Sequence, residues 1–439
     1  VQLKIAVLDA PRLASDARNP RRADIVAGRG TIFARDGSVL AESRAGRRVY
    51  PLGSDAAHVV GYASPRFGTF GLEDAFDRVL SSHGGSGVLH EIRSFATGGL
   101  ARGNDIVTTI DPAVQRRLAD LLVPQARGAG IVLDPRTGAV LALASTPAFD
   151  PNDLVQSWEA LRANPDSPLL DRAIDGLYPP GSTFKIVTAS DGLEAGTITP
   201  TSRFTDDGAL SVGNFVVQND RNERTGNQDL AGAFALSSNV DFAQIALDVG
   251  ADRWFDDASR WGLGHSLDFD LPSANDRIPS RDEVTPSVLA QLGFGQASLL
   301  VTPLRMAMIA ATIADGGNMP RPYLVRSIAG TDTGIATKPE QLAHPITPAT
   351  AATIRDLMLA VVQRGTGTSA ALVGVNVAGK TGTATNPHGL AHSWFLAFAP
   401  AEAPRVVVAV VIENAGYGAT VAAPIVREVL RVALDRTRT

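Results

Sequence analysis

Pro179-Pro180-Gly181-Ser182-Thr183-Phe184-Lys185-Ile186-Val187 changes character at its centre. The prolines cannot sit inside a helix and Gly181 permits a tight entry. Ser182 then opens an apolar helical run through Ile186, Val187 and Leu193. Residues three apart on a helix share a face, so the spacing places Lys185 one turn behind the Ser182 hydroxyl. A serine becomes a nucleophile when a neighbouring base takes its proton, and a desolvated lysine can serve as that base. The helix start also turns backbone N–H groups toward developing negative charge. The same residues read equally well as an N-cap serine followed by a surface lysine.

The use of lysine sharpens the choice. Of 40 basic residues only four are lysine: Lys4, Lys185, Lys338 and Lys380. Arginine stays protonated under working conditions, whereas a buried lysine can lose its proton. A lysine kept in an arginine-rich chain can therefore mark a position where arginine would not serve. Lys4 and Lys338 read as chance retention at the surface.

Two further stretches carry chemistry. Ser237-Ser238-Asn239 lies between the apolar runs 230–236 and 240–249, where small polar residues usually cap helices; a functional reading makes Ser237 a proton relay and Asn239 a clamp on substrate. Gly379-Lys380-Thr381-Gly382-Thr383-Ala384 precedes a strand-like segment and offers a cation, two hydroxyls and a glycine with no side chain to obstruct a ligand. Such an edge could dock an extended peptide and hold its carboxylate, and arginine could partly replace Lys380 as a fixed charge. The bland reading is an exposed turn.

Residues 374–381, G-V-N-V-A-G-K-T, also match the phosphate-binding P-loop pattern in full. A P-loop needs a strand before it and a helix after it. Upstream, residues 364–369 read as a Gly/Thr-rich linker; downstream, Gly382, Asn386, Pro387 and Gly389 interrupt any helix. The seven histidines show no metal-ligand spacing: His388 and His392 are four apart, but Gly389 intervenes. No Gly-x-Ser-x-Gly elbow is present. No metal and no cofactor are expected.

Around these motifs the chain reads as α+β. Residues 30–40 suggest a hairpin turned at Asp36-Gly37, and Asp111-Pro112 starts an amphipathic helix through Val114, Leu118, Leu121 and Leu122. Residues 130–134 and 139–144 flank a turn as two strands. Helical patterns dominate 171–314, strands return at 394–399 and 406–412, and a helix closes the chain at 424–434. The pattern predicts an antiparallel sheet covered by helices. With 439 residues, 44% of them apolar, the chain has material for two domains, 1–127 and 128–439. A net charge of -5 without a basic run argues against nucleic acid as a partner. No apolar run approaches the roughly 18 residues of a membrane span. The start at Val1 suggests that an N-terminal segment, such as an anchor, was removed.

Taken in order, Ser182-x-x-Lys185, Ser237-x-Asn239 and Lys380-Thr381-Gly382 resemble the motif set of the penicillin-binding proteins. Arg29-Gly30-Thr31-Ile32 through Asp36-Gly37 to Leu40-Ala41 resembles the N-terminal box of the class B members, and Gly71-Leu72-Glu73, Asp150-Pro151-Asn152, Gly293-Phe294-Gly295-Gln296, Thr302-Pro303-Leu304 and Trp394-Phe395 are similar to landmarks of that class. The likeness covers nearly the whole chain and is nearest to the actinobacterial branch.

The resemblance implies a penicillin-binding transpeptidase fold, an antiparallel sheet with helices on both faces, behind a smaller β-rich N-terminal domain of pedestal or dimerisation type. It implies a peptidoglycan D,D-transpeptidase inhibited by β-lactams, acting on stem peptides at the extracytoplasmic face of the bacterial membrane through a single-pass anchor. Proteins of wall synthesis or division would be its partners. Ser182 would be the nucleophile and Lys185 its base, with Ser237 and Lys380 passing the proton. Asn239, Thr381, Gly382 and Thr383 would bind substrate, and the N–H groups of Ser182 and Thr383 would form the oxyanion hole. A serine β-lactamase, a non-catalytic β-lactam sensor and, remotely, a P-loop NTPase are the alternatives.

Overall fold

In a computed structural model of the protein, the described residues are 26, 28–81, 102–329, 335–386 and 389–437. Lys4 and His388 lie outside them. Two compact units are present, and both are discontinuous. One holds the described residues up to Asp111 with Ala148–Ala163 and Val325–Lys338; the other holds Pro112–Pro147, Asn164–Leu324 and the described part of Pro339–Thr439. The units thus cross the expected boundary at 127/128. Pro112–Leu122 packs on the strand Val140–Thr146, while Val325–Ala329 pairs with Asp105–Thr108. Strand pairing and helix packing are non-local, and no composition shift marks where the chain crosses between units.

In the first unit the expected hairpin forms, with Ile32 opposite Ala41 and Phe33 opposite Val39. Gly37 takes φ 84° in its turn, a conformation glycine adopts without steric cost. Asp105–Thr108 runs parallel to Ile32–Phe33. Glu73 is fully buried between Arg29 and Arg48, whose Nε lies 2.6 Å from Glu73 Oε1. Removing that carboxylate would strand the buried Arg48 guanidinium and leave Arg29 with Asp77 alone, at 2.6 Å. Asn152 bonds both backbone groups of Tyr50 at 3.0 Å, which gives the Asp150-Pro151-Asn152 landmark a structural purpose.

The second unit is built on α1 (Pro112–Leu122), β1 (Gly128–Leu133) and β2 (Val140–Thr146), then α2 (Lys185–Ala195), α3 (Leu230–Leu236), α4 (Asn239–Val249), α5 (Pro303–Ala314) and α6 (Pro348–Arg364), and finally β3 (Ala378–Ala384), β4 (His392–Ala399), β5 (Val406–Ile412) and α7 (Ala422–Arg436). The strands form one antiparallel sheet in the order β3-β4-β5-β1-β2. All of β5, Val406 to Ile412, is buried because helices cover both faces. Val408, Val410 and Ile412 pack with α1 and α7 through Leu118, Val426 and Leu430. Alternation sends Val407, Ala409 and Val411 to the opposite face, where α5 crosses β1, β4 and β5.

The stretch 171–314 is less helical than expected. Arg203–Asp206 pairs with Gly226–Asp229, and Ala209–Val212 pairs with Phe215–Gln218 around Gly213-Asn214. That second hairpin was legible in the sequence, since a Gly-Asn turn sits between two short alternating runs. Among the described residues no helix is long and apolar enough to cross a membrane.

Candidate active site

Gly181 enters the nucleophile turn at φ 55° and is anchored by its N–H to Gly295 O at 2.9 Å. Residues Gly181–Phe184 form a 3₁₀ turn that runs directly into α2. Thr183 Oγ1 donates to Pro180 O at 2.6 Å, and Trp394 Nε1 donates to Pro179 O at 3.1 Å. The serine is therefore held on a braced turn, with its side chain facing an open cleft of about 520 Å³.

Lys185 is fully buried beneath that turn. Its Nζ donates to Ser237 O at 2.7 Å and to Asn239 Oδ1 at 2.8 Å, lies 3.2 Å from Ser237 Oγ, and sits 5.4 Å from the Phe242 ring centroid. No hydrogen bond joins Nζ to Ser182 Oγ in this arrangement, although the Lys185 backbone N–H donates to Ser182 O within the turn. Burial, reinforced by the like charge of Lys380, pushes Lys185 well below the usual lysine range, against the opposing pull of Asp241 and Asp206. Two short acceptors take the two protons of a neutral amine, which leaves its lone pair available.

Ser237-Ser238-Asn239 serves as capping loop and as site together. Ser237 ends α3 in the left-handed conformation at φ 63°, and Ser238 caps α4 by accepting from Asp241 N at 3.0 Å. The unusual φ turns the Ser237 carbonyl and hydroxyl toward Lys185.

The third motif lies wholly within β3, the edge strand of the sheet. This excludes the P-loop geometry, because Gly379-Lys380-Thr381 is strand rather than a loop opening a helix. Lys380 is fully buried, not part of an exposed turn. Its Nζ donates to Ser237 Oγ at 2.8 Å and lies 5.5 Å from the Phe234 ring. Burial lowers its pKa to about 7. One hydroxyl thus bridges two buried amines, and both cannot carry full charge at low cost.

Of the residues singled out by sequence, Ser182, Ser237, Asn239, Thr381 and Thr383 line the cleft, with Lys185 and Lys380 directly behind Ser237. Gly382 is also constrained by packing. A Cβ there would lie 2.8 Å from Thr183 Cγ2 and 2.9 Å from Trp394 Cβ, so the missing side chain lets the edge strand approach the nucleophile turn. Thr366, placed by sequence in a featureless linker, puts its Oγ1 2.6 Å from Thr381 Oγ1. Asp220 and Glu223 are exposed and also line the cleft, beside Tyr417 and Gln296. Nothing in the sequence points to Thr366; only the return of α6 toward β3 brings it there.

Residues 128–431 match the penicillin binding protein transpeptidase domain, and residues 29–106 match the penicillin binding protein A dimerisation domain. The chain belongs to the penicillin-binding protein transpeptidase family. It is 37% identical over 422 residues to the peptidoglycan D,D-transpeptidase PbpA of Mycolicibacterium smegmatis, covering 88% of this chain and 84% of that one. The D,D-transpeptidase domain of a peptidoglycan glycosyltransferase from Eggerthella lenta superposes with a TM-score of 0.84 at 37% identity, over 93% of this chain and 99% of that one. Penicillin-binding protein A from M. tuberculosis, as its imipenem acyl-enzyme complex, gives a TM-score of 0.86 at 36% identity, over 92% of this chain and 98% of that one. This penicillin-binding protein therefore has the expected fold: a transpeptidase sheet with helices on both faces and an N-terminal dimerisation-type domain.

Proposed function

We propose that this penicillin-binding protein is a peptidoglycan D,D-transpeptidase that cross-links stem peptides through an ester on Ser182 and is acylated there by β-lactams. The observation that carries the reading is the convergence of two buried lysines on the Ser237 hydroxyl, behind a cleft that exposes Ser182 along a free strand edge.

A stem peptide lies in the cleft as an extended strand against β3. Ser182 Oγ attacks the carbonyl carbon between the two terminal D-alanines, and its proton passes to the Lys185 lone pair. The oxyanion faces the N–H groups of Ser182 and Thr383; the Thr383 carbonyl backs onto the Gly181 turn, within 2.9 Å of where a Gly181 Cβ would stand. The C–N bond breaks, and the departing D-alanine amine takes a proton along Lys185, Ser237 and Lys380. Thr381 and Thr383 hold its carboxylate, and Asn239 holds the peptide amide. An amine of a neighbouring stem then attacks the ester, forms the new amide and releases Ser182. The region that matches the dimerisation domain, residues 29–106, serves as pedestal, and the protein works at the outer face of the bacterial membrane beside other wall-building proteins.

The test is labelling with fluorescent penicillin, followed by mass mapping of the labelled peptide. The tag is expected on Ser182, and Ser182→Ala should abolish it, a loss on the order of 10⁶ in rate where site residues act as a unit. Labelling that persists in Ser182→Ala would overturn the assignment. Decay of the label within seconds, with turnover of the drug, would indicate a β-lactamase instead.

A further inference from the structure

A group outside the three motifs controls the second of them. Asp206 ends the strand Arg203–Asp206 and is fully buried. Its Oδ1 accepts from Gly208 N at 2.7 Å. Its Oδ2 accepts from Asn219 Nδ2 at 2.5 Å, Thr225 Oγ1 at 2.6 Å and Ser238 Oγ at 2.8 Å. Asn219 passes the restraint on: its Oδ1 accepts from Asn239 N at 2.7 Å and Val240 N at 3.2 Å. One carboxylate therefore grips the middle residue of Ser237-Ser238-Asn239 directly and the backbone of its last residue through one amide.

Four donors on two oxygens require an acceptor-only group, which a carboxylate is and an amide is not. Burial works to raise the Asp206 pKa, but the hydrogen bonds from Thr225, Gly208, Ser238 and Asn219 outweigh it and hold the group below the usual carboxylate range. It is thus ionised throughout the working range. Around Lys185 the charged groups are Lys380 on β3, Asp241 on α4 and Asp206 itself. Ser237, Asn239 and the Phe242 ring complete its surroundings.

We propose that Asp206 is a positioning residue for acylation: it locks the turn that carries Ser237 and Asn239, and its fixed negative charge sets how readily Lys185 takes the serine proton. Asp206 is not among the residues that line the cleft, and its hydrogen bonds go to Gly208, Asn219, Thr225 and Ser238 rather than to Ser182. The inference rests on the transpeptidase reading above.

The test compares the unaltered 439-residue chain with Asp206→Asn and Thr225→Val, measuring the second-order rate of acylation by fluorescent penicillin across pH, with thermal melting alongside. Asp206→Asn sets an amide N–H against the Gly208 or Asn219 donors, so the plateau rate should fall by roughly a hundredfold. It also removes a negative charge that favours protonated Lys185, so the acid limb of the profile should move to lower pH. Thr225→Val removes the hydrogen bond to Asp206, and the one that Thr225 Oγ1 accepts from Gln228 Nε2 at 2.6 Å, while keeping the charge. Its plateau should fall by about tenfold while its acid limb stays in place. A purely structural aspartate would lower the melting temperature without moving the limb. Wild-type plateau and limb in Asp206→Asn, or a lowered plateau with an unmoved limb, would overturn the proposal. If Asp206→Asn does not fold, an unchanged plateau in Thr225→Val overturns it and a tenfold fall at constant melting temperature supports it. Failure of the wild-type chain to label at Ser182 would instead sink the transpeptidase reading.

Discussion

Gly295→Ala should cripple acylation although the residue carries no chemistry. Gly295 follows the short helix Pro286–Leu292 and adopts φ 73°. Its carbonyl receives the Gly181 N–H that anchors the nucleophile turn. A Cβ on Gly295 would press into the Gly181 carbonyl oxygen and stand 2.8 Å from Phe184 Cβ and 2.9 Å from Gly181 C. Carbon atoms settle at ~3.6 Å, so the carbon contacts alone require a separation of roughly 0.8 Å, and the closer Gly181 oxygen requires more. The Gly293 carbonyl, bonded to Thr188 Oγ1 on α2 at 2.8 Å, resists movement of the loop as a whole. The nucleophile turn therefore takes up much of the shift, and a displacement of about 1 Å at a reacting group can cost on the order of a hundredfold in rate. The left-handed φ adds about 1 kcal/mol of strain. Gly196→Ala supplies the control: it ends α2 at φ 70° with nothing within 4 Å of an added Cβ. Both variants should lose about 1 kcal/mol or more in denaturant unfolding. Only Gly295→Ala should lose acylation, measured as the second-order rate with fluorescent penicillin. A Gly295→Ala protein that acylates at the wild-type rate, or a Gly196→Ala protein that loses as much, would refute the reasoning.

Three more outcomes follow from the buried titratable groups. Lys185→Arg should be as damaging as Lys185→Ala, with a loss of at least about 10³ in acylation rate, because guanidinium cannot accept the serine proton. Lys380→Arg should also lose more than about a hundredfold, since a larger cation must enter a fully buried site between Ser237 and the Phe234 ring; near-normal acylation in either variant would contradict the geometry. Asp171 is buried, with Oδ1 bonded to Ser145 and Ala173 N while Oδ2 has no hydrogen-bond partner, and burial raises its pKa from 3.8 to about 6. The folded state therefore binds this proton more tightly than the unfolded chain. The cost of ionisation is absent below about pH 4 and complete above about pH 6, where it reaches about 3 kcal/mol. Asp171→Asn should accordingly be the more stable protein at about pH 7.5, by up to that amount, and the gap should close as pH falls to about 4. A gap of the opposite sign, or one independent of pH in urea titrations, would contradict this.

Much of the site is local and was legible in the residues themselves. A Pro-Pro-Gly entry followed by Ser182 and Lys185 specifies a helix start with both side chains on one face, because backbone sterics and the helical repeat act over a few residues. The retention of lysine at 185 and 380 marked the two buried amines, and Lys338 is exposed as expected. The run Val406 to Ile412 announced a strand, and Asp36-Gly37 announced a hairpin. What only the tertiary structure decided is which groups meet. Lys380 reaches the Ser237 hydroxyl across 143 residues, and Thr366 reaches Thr381 from the end of α6. Gly382 is small because strand and turn press together. Asp206, one acid among 45 acidic residues in composition, becomes the hub beneath the second motif. Spacing along a chain sets the direction of a side chain, but its desolvation and its hydrogen-bond partners are set by whatever packs against it. For Lys185 and Lys380 those partners come from other helices and strands, so their lowered pKa values exist only in the folded protein.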